Sequence, residues 1–301
     1  MAFVLFQEEN VDAAVLEVGL GGRLDATNVV TPLVSVITRV DYDHEAYLGK
    51  NLEDIAAEKA GILKPGVPAI FASQRSEVER ALEARAAALG APVSWTFRIP
   101  VTGLDVHRDG CRFEAAGVRV ECPLAGAHQV ENALTAVAVL RRLGIATEAI
   151  ARGIRAVRWP GRLDRVPGNP EVILDGAHNP CGARVLADHI RTFYADRRIT
   201  LIFGSMRDKA VAEMSAILFP LAETVIATAP RQPRAVRPET MRSLADHPDL
   251  RVVESLEQAL ALAAGADVVF VTGSLFLVAE AVALLTPEQR NKKADPSLRS
   301  G

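Results

Sequence analysis

Glu17-Val18-Gly19-Leu20-Gly21-Gly22-Arg23-Leu24-Asp25-Ala26-Thr27-Asn28 directly follows the apolar run Ala13-Ala14-Val15-Leu16. The run reads as a buried strand over residues 13–18 that delivers one carboxylate, Glu17, into a glycine-rich turn. Open α/β sheets bind their ligands at the carboxyl edge of the strands, and glycine lets backbone approach a ligand closely. By spacing alone the turn reads equally well as an ordinary strand-to-loop connection with a solvated Glu.

The rest of the chain supports an α/β reading. Its 301 residues suggest two domains, and 49% hydrophobic with 24% charged residues is the balance of a soluble globular protein. A net charge of −3 with scattered arginines leaves no basic footprint, so no nucleic-acid partner is expected. No apolar run approaches the roughly 18 residues needed to span a bilayer, so no membrane partner is expected either. The apolar start lacks the basic segment and cleavage site of a signal peptide. Three cysteines, Cys111, Cys122 and Cys181, are odd in number and widely spaced. They fit neither a disulfide framework nor a zinc site and point to a reducing cytoplasm. The expectation is a cytoplasmic monomer that acts on small molecules.

Strand-like runs at residues 33–38 and 67–72 alternate with helical patterns at 52–63 and 76–89. Asn51 reads as the N-cap of the first helix and Pro65-Gly66 as its end. Residues 102–123 change texture to short alternating runs around Asp109-Gly110, which predicts antiparallel hairpins. Helical pattern returns at 127–143 and 147–155. Trp159-Pro160-Gly161 reads as the domain boundary. Beyond it, strands at 172–174, 199–203, 224–227 and 268–272 alternate with helices at 181–193, 210–219, 255–264 and 275–285. That alternation implies parallel βαβ units. The expected division is therefore residues 1–157, 158–286 and a disordered tail at 287–301.

Several polar strings fall at predicted strand or helix ends. Asp43-His44-Glu45-Ala46-Tyr47-Leu48-Gly49 follows the second strand. His44 beside Glu17 is a plausible ligand pair for a divalent ion, although a lone His is more often structural. In Glu58-Lys59-Ala60-Gly61-Ile62, Lys59 is most simply a cation near a helix C-terminus, where the dipole favours it. Gly126-Ala127-His128-Gln129-Val130-Glu131-Asn132-Ala133 opens a helix whose polar residues either meet an anion or base edge or cap the helix. Trp159-Pro160-Gly161-Arg162-Leu163 places an Arg where its planar fork suits a phosphate. In Asp175-Gly176-Ala177-His178-Asn179-Pro180, Asp175 could anchor a ribose or a magnesium-bound phosphate, and His178 could meet an incoming amino acid or acyl phosphate. The same string also reads as an Asx turn into a helix. Asp208-Lys209 follows one strand and Thr272-Gly273-Ser274-Leu275 another, with Ser274 placed to serve as an N-cap.

Taken together these strings resemble, in order and over about residues 11–280, the signatures of the folylpolyglutamate synthase/dihydrofolate synthase family of the Mur ligase superfamily. The resemblance implies an α/β fold with an incomplete P-loop-type central domain and a Rossmann-like C-terminal domain. It implies an ATP-dependent ligase that adds L-glutamate to a folate-type carboxylate, dihydropteroate or a reduced folate, through an acyl phosphate. Its cofactors would be ATP and Mg²⁺. Glu17 and His44 would then be magnesium ligands, and Lys59 a carbamylated residue, a modification that needs a lowered lysine pKa. Asn132 would read the adenine, and Arg162 and Asp175 would bind the nucleotide. His178 and Ser274 would bind the amino-acid substrate. Lys59, Arg162 and His178 would be the catalytic group.

One element of that family is missing. No G-x-x-x-x-G-K-[ST] phosphate loop occurs; the single Gly-Lys pair, Gly49-Lys50, is followed by Asn51 and has His44 where the first Gly belongs. Residues 1–10 read as the tail of a helix. The expectation is a truncated chain, from a misassigned start codon or a deliberate cut, rather than a shortened homologue. Such a chain would expose apolar edge and face. Two alternatives stay open. One is an inactive fragment that acts only with a partner. The other is a peptidoglycan-type Mur ligase, which shares the Asn, Arg and Asp-x-Ala-His-Asn-Pro logic but not the Gly19 to Asn28 string. A dinucleotide-binding dehydrogenase is set aside because Leu24 stands where G-x-G-x-x-G needs its last Gly.

Overall fold

The computed structural model describes residues 2–42, 49, 51–244 and 246–285. They form two compact units. One runs to Ile99 and includes Ala138–Gly144; the other comprises Pro100–Val137 and the chain from Ile145 onward. The predicted hairpins thus group by packing with the second unit.

In the first unit, helix α1 (Ala2–Glu8) precedes β1 (Ser35–Ile37), α2 (Leu52–Ala60), β2 (Ala69–Phe71), α3 (Ser76–Ala88) and β3 (Val93–Trp95). The three strands form a parallel sheet in the order β1-β2-β3. Asn51 caps α2 as expected, its side chain accepting the Asp54 N–H at 2.8 Å. Leu52, Ile55, Ala56 and Ala60 of α2 and Val78, Leu82 and Ala86 of α3 form a core with Ile37, Phe71 and Trp95.

Here the reading of residues 13–18 as a strand is corrected. The segment is irregular, and Val15 is wholly exposed. A short apolar run has the composition of a buried strand, but a strand exists only through its hydrogen-bonded ladder. Among the described residues β1 pairs with β2 alone. Helix α2 also ends earlier than Pro65-Gly66. The Gly61 N–H turns back to the carbonyls of Glu58 and Lys59, and Gly61 packs against the backbone of Arg23.

The second unit contains the predicted hairpins as an antiparallel sheet of β4 (Val101–His107), β5 (Gly110–Ala115) and β6 (Val118–Cys122). The first ten residues of α4 (His128–Arg142) and all of α5 (Thr147–Ala156) follow. A six-stranded sheet then comprises β7 (Asp164–Val166), β8 (Glu171–Leu174), β9 (Ile199–Phe203), β10 (Thr224–Ala227), β11 (Leu250–Val252) and β12 (Val268–Thr272). Its helices are α6 (Pro180–Phe193), α7 (Val211–Leu218), α8 (Met241–Leu244), α9 (Leu256–Leu262) and α10 (Leu275–Leu285). The spatial order is β11-β10-β9-β12-β8-β7, with every pair parallel except β7 with β8.

Both faces of this sheet are covered, which explains why its strands are continuous apolar runs rather than alternating ones. Ile173, Leu201, Phe203, Val225 and Phe270 face α6 and α7, through Ala183, Leu186, Ile190, Met214 and Leu218. Val172, Leu174, Ile202, Ile226 and Val271 face α9 and α10, through Leu256, Ala259, Leu277, Val278 and Ala281. The short strands β3, β7 and β11, three residues each, leave no period to read. Among the described residues no helix is long and apolar enough to cross a membrane.

One buried group makes the stability of this unit sensitive to acid. His189 on α6 is 5% exposed and packs against the rings of Phe193 and Tyr194 at 5.0 and 5.8 Å. Its Nδ1 has no hydrogen-bond partner among the described residues. Burial holds its pKa down to about 4; His128 and Arg108 add to that, and Asp109 opposes it. A base with a depressed folded pKa contributes stability in full above its unfolded pKa of about 6.5 and loses it as pH falls toward 4. In thermal melts, the Tm of the wild type should therefore drop relative to His189→Phe between pH 6.5 and 4 and keep a constant offset above 6.5. An offset that does not change with pH would remove the imidazole as the cause.

Candidate functional site

The glycine-rich string of the first unit is a loop folded around one carboxylate. Asp25 accepts the Thr27 hydroxyl at 2.6 Å and the Thr27 N–H at 2.9 Å on Oδ1. On Oδ2 it accepts the Gly19 and Leu20 N–H groups at 3.0 and 3.2 Å. The Thr27 hydroxyl, with these backbone donors, holds the Asp25 carboxyl down at about 2. Hydrogen bonding to the charged form accounts for the direction. Asp25 is thus the anchor of its own loop.

That loop is docked on the end of α2, where Lys59 sits. The Arg23 N–H donates to the Glu58 carbonyl at 2.9 Å, and the Arg23 guanidinium pairs with the Glu58 carboxylate at 2.9 Å. The Asn28 side chain donates to the Gly61 carbonyl at 3.0 Å. A Cβ on Gly22 would lie 2.9 Å from the Glu58 carbonyl oxygen, and one on Gly61 would strike Arg23. Glycine at both positions is what lets loop and helix touch. Glu17 is exposed on one side of this contact, and Lys59 is half-buried on the other. His44 lies outside the described residues. Among the described residues no three His, Cys, Asp or Glu side chains gather into a metal site.

In the second unit the predicted residues converge. Strand β12 lies between β8 and β9, so the carboxyl ends of β8, with Asp175, and β12, with Ser274, are neighbours. The Asp175 N–H donates to the Val271 carbonyl, and the Gly273 N–H donates to the Ala177 carbonyl, both at 3.0 Å. Asp175 accepts the Leu163 N–H on one oxygen and the Ala177 N–H on the other, each at 3.0 Å. Burial pushes its carboxyl above the usual range, while those two donors and the nearby Arg162 and His178 pull the other way. His178 Nδ1 bonds the Gly176 carbonyl at 2.8 Å. The Gly176 N–H returns to the Gly161 carbonyl at 2.8 Å.

Arg162 lies over Gly176. A Cβ there would come within 2.6 Å of the Arg162 Nη1 and would also run into the Leu275 side chain. Arg162 also lies near His128, whose pKa is lowered first by burial and then by this guanidinium. His128 Nε2 is 3.1 Å from the Gln129 amide nitrogen, and Gln129 accepts from the Asn132 amide at 3.0 Å. The structure therefore brings together Asn132, Arg162, Asp175 and His178, joined by Gln129, His128 and Gly176. Sequence reasoning read His128 and Gln129 only as polar residues that cap the helix or meet an anion or base edge, and gave Gly176 no role. The only signal for Gly176 was its place inside the Asp175–Pro180 string.

Ser274 is 1% exposed, and its hydroxyl accepts the Phe276 N–H at 3.1 Å as the first turn of α10 begins. The N-cap reading of this residue is realised. Asn179 caps α6 by accepting the Gly182 N–H at 2.8 Å, with Pro180 in the first turn. Beside Arg162 a cavity of about 420 Å³ is lined by Leu124, Trp159, Arg165, His189 and Tyr194 among others. A second, wider cleft of about 840 Å³ takes in Lys209 with Arg207 and Arg237. The Arg162 fork, the Asp175 carboxylate and the backbone turns at this sheet edge form a polar set suited to a phosphorylated nucleotide.

Comparison with known proteins agrees with this geometry. Residues 2–140 match the Mur ligase middle domain, and residues 161–275 match the Mur ligase glutamate ligase domain. The chain is 38% identical to a probable bifunctional folylpolyglutamate synthase/dihydropteroate synthase of Halobacterium salinarum, over 93% of this chain and 36% of that protein. It is 32% identical to the dihydrofolate synthase/folylpolyglutamate synthase of Bacillus subtilis, over 93% of this chain and 69% of that one. Its structure is similar to Mycobacterium tuberculosis folylpolyglutamate synthase complexed with ADP and AMPPCP, with a TM-score of 0.88 and 31% identity. That match covers 95% of this chain and 71% of the other. The chain thus spans between about a third and two thirds of the length of these curated relatives. With both domains matched in order, the chain belongs to the folylpolyglutamate synthase/dihydrofolate synthase family of Mur ligases.

Proposed function

We propose that this chain carries the nucleotide-binding and glutamate-ligating parts of an ATP-dependent ligase that joins L-glutamate to a folate-type carboxylate, dihydropteroate or a reduced folate. The observation that carries the reading is the convergence of Arg162, Asp175 and His178 with the His128-Gln129-Asn132 chain at one edge of the six-stranded sheet. In this reading residues 1–157 form the ATP-binding domain and residues 158–286 the glutamate-ligase domain of a cytoplasmic monomer.

A carboxylate is a poor acyl donor because oxide would have to leave. ATP, with Mg²⁺, would supply the phosphoryl group that converts it to an acyl phosphate. The residues of this chain do the rest. Arg162 offsets charge on the transferred group with a fork already held over Gly176. Asn132 meets the base edge, oriented by Gln129. Asp175 accepts from a ribose hydroxyl. His178 sits where the amine of L-glutamate would approach, its Nδ1 tied to the Gly176 carbonyl so that Nε2 is left to face the substrate. Ser274 would hold the amino acid from the start of α10. Glu17 and His44 would hold the metal and Lys59, carbamylated, would complete that set. What supports this last part is the docking of the Glu17 loop on the end of α2.

A second reading, an inactive chain that acts only with a partner, is favoured by exposed apolar side chains at Val15, Leu24, Val29 and Leu33. Titration with ADP separates the two. The ligase reading expects saturable binding that weakens at least tenfold in Arg162→Ala and in Gly176→Ala, as the loss of one charge-assisted contact of about 1.5–3 kcal/mol requires. Arg165→Ala, whose partner is Glu171 at 3.2 Å, should stay within about twofold. No binding by the wild type would favour the partner-dependent reading. The activity itself is tested by incorporation of labelled L-glutamate with magnesium-ATP and either dihydropteroate or a reduced folate. The 301-residue chain should be run beside a version extended upstream in frame. Product from either form supports the ligase reading, and silence in both overturns it.

A further inference from the structure

We propose that Cys111 and Cys122 form an oxidisable dithiol that hydrogen peroxide converts, reversibly, to an intrachain disulfide across the β5–β6 hairpin. The inference does not depend on the ligase reading. Ten residues separate the two cysteines in sequence, a spacing with no disulfide signature, but the hairpin closes that gap. Ala116 and Gly117 have φ of 49° and 75°, the two successive left-handed residues of a tight two-residue hairpin turn. From that turn the register runs Ala115–Val118, Glu114–Arg119, Phe113–Val120, Arg112–Glu121 and then Cys111–Cys122. Residues directly opposite in an antiparallel pair have Cα atoms about 4.5–5.5 Å apart. A disulfide needs about 4.4–6.8 Å. Both cysteines point to the buried face, with Phe113, Ala115, Val118 and Val120, and the register sets their side chains side by side there. Gly110 adjoins the pair, and a Cβ there would strike the Cys122 carbonyl. The strands are therefore close at this end, with no side chain of residue 110 to separate them.

The two thiols are not equivalent. Cys111 is fully buried, whereas Cys122 is 5% exposed near the end of its strand. The neighbouring Cys111 thiol, assisted by the Leu124 N–H and opposed by burial, draws the Cys122 pKa down to about 6. Its Cys122 neighbour and burial push Cys111 up. Cys122 is thus the more readily deprotonated of the two, and the thiolate is the nucleophilic form of cysteine. In the first step the Cys122 sulfur attacks one oxygen of hydrogen peroxide. The O–O bond breaks and hydroxide leaves, giving a sulfenic acid. In the second step the Cys111 sulfur attacks the Cys122 sulfur, the S–O bond breaks, and the departing oxygen takes up the Cys111 proton. The balance is two thiols and one peroxide to one disulfide and two waters. A dithiol reductant reverses it by exchange. The alternative is that two small apolar side chains merely fill a sheet face.

Cys181, on α6 and half-buried, has no opposing cysteine and serves as an internal reference. The test uses the full chain with the single substitution Cys181→Ser. It is treated under native conditions with hydrogen peroxide, quenched with catalase, alkylated and mapped by mass spectrometry. The expected result is loss of two hydrogen atoms per chain, a linked peptide pair containing residues 111 and 122, and full recovery of both thiols after dithiothreitol. In the unmutated chain the thiol count should fall from three, with residues 111 and 122 found linked in the digest. Cys111→Ser in the Cys181→Ser background should stop at a sulfenic acid on Cys122, captured by dimedone. Two free thiols persisting in Cys181→Ser, at a peroxide dose that oxidises Cys181 in the unmutated chain, would overturn the proposal. So would oxidation of either cysteine without the linked peptide.

Discussion

The candidate site depends on one half-buried carboxylate. Asp175 follows β8 and takes one N–H from Leu163 and one from Ala177. The first bond fastens the turn that carries Arg162; the second fastens the turn that carries His178. Without it, the turns of Leu163 and Ala177 would lose this common reference for the guanidinium of Arg162 and the imidazole of His178. The burial that raises the Asp175 carboxyl is the energetic cost of this arrangement, and the two backbone donors offset part of it.

The same device occurs at the glycine-rich string of the first unit. Asp25 collects N–H groups from Gly19, Leu20 and Thr27 and closes the loop on itself. In both places an Asp at the head of a turn organises backbone, and glycine makes room for what is organised. Gly22 and Gly61 admit the contact between the Glu17 loop and the helix of Lys59. Gly176 admits the side chains of Arg162 and Leu275. Polar anchor and absent side chain are two halves of one solution to packing irregular backbone closely. Irregular backbone needs fixed partners for its N–H groups, and it can approach only where no Cβ intervenes.

Much of this was legible in the sequence because the relevant signals are local. Apolar runs at 199–203, 224–227 and 268–272 are strands with those bounds, since a strand buried on both faces carries no polar interruption. Asn51 announced its helix by capping chemistry. What could not be read depends on partners distant in the chain. Residues 13–18 have a strand's composition, but no neighbour pairs with them among the described residues. The bridge from Asn132 through Gln129 and His128 to Arg162 joins the start of α4 to a turn thirty residues on, and no periodicity encodes that. Cys111 and Cys122 looked merely scattered, because only the hairpin register sets one opposite the other.

A residue that serves the fold is not thereby excluded from serving a ligand, and hydrogen-bond capacity decides which can do both. A carboxylate offers about four acceptor sites. Asp175 uses one on each oxygen, so two remain for a hydroxyl or other donor. A donor arriving there would draw its raised pKa back toward the ordinary range and strengthen the charged form that binds it. Asp25 is more committed, with four donors already in place, and is left as a purely organising group. Ser274 accepts the Phe276 N–H as a helix cap, but a hydroxyl that accepts still has a proton to donate. Capping therefore fixes the direction of that proton rather than consuming it. By this count Asp175 and Ser274 can each be framework and contact at once, whereas Asp25 can only be framework.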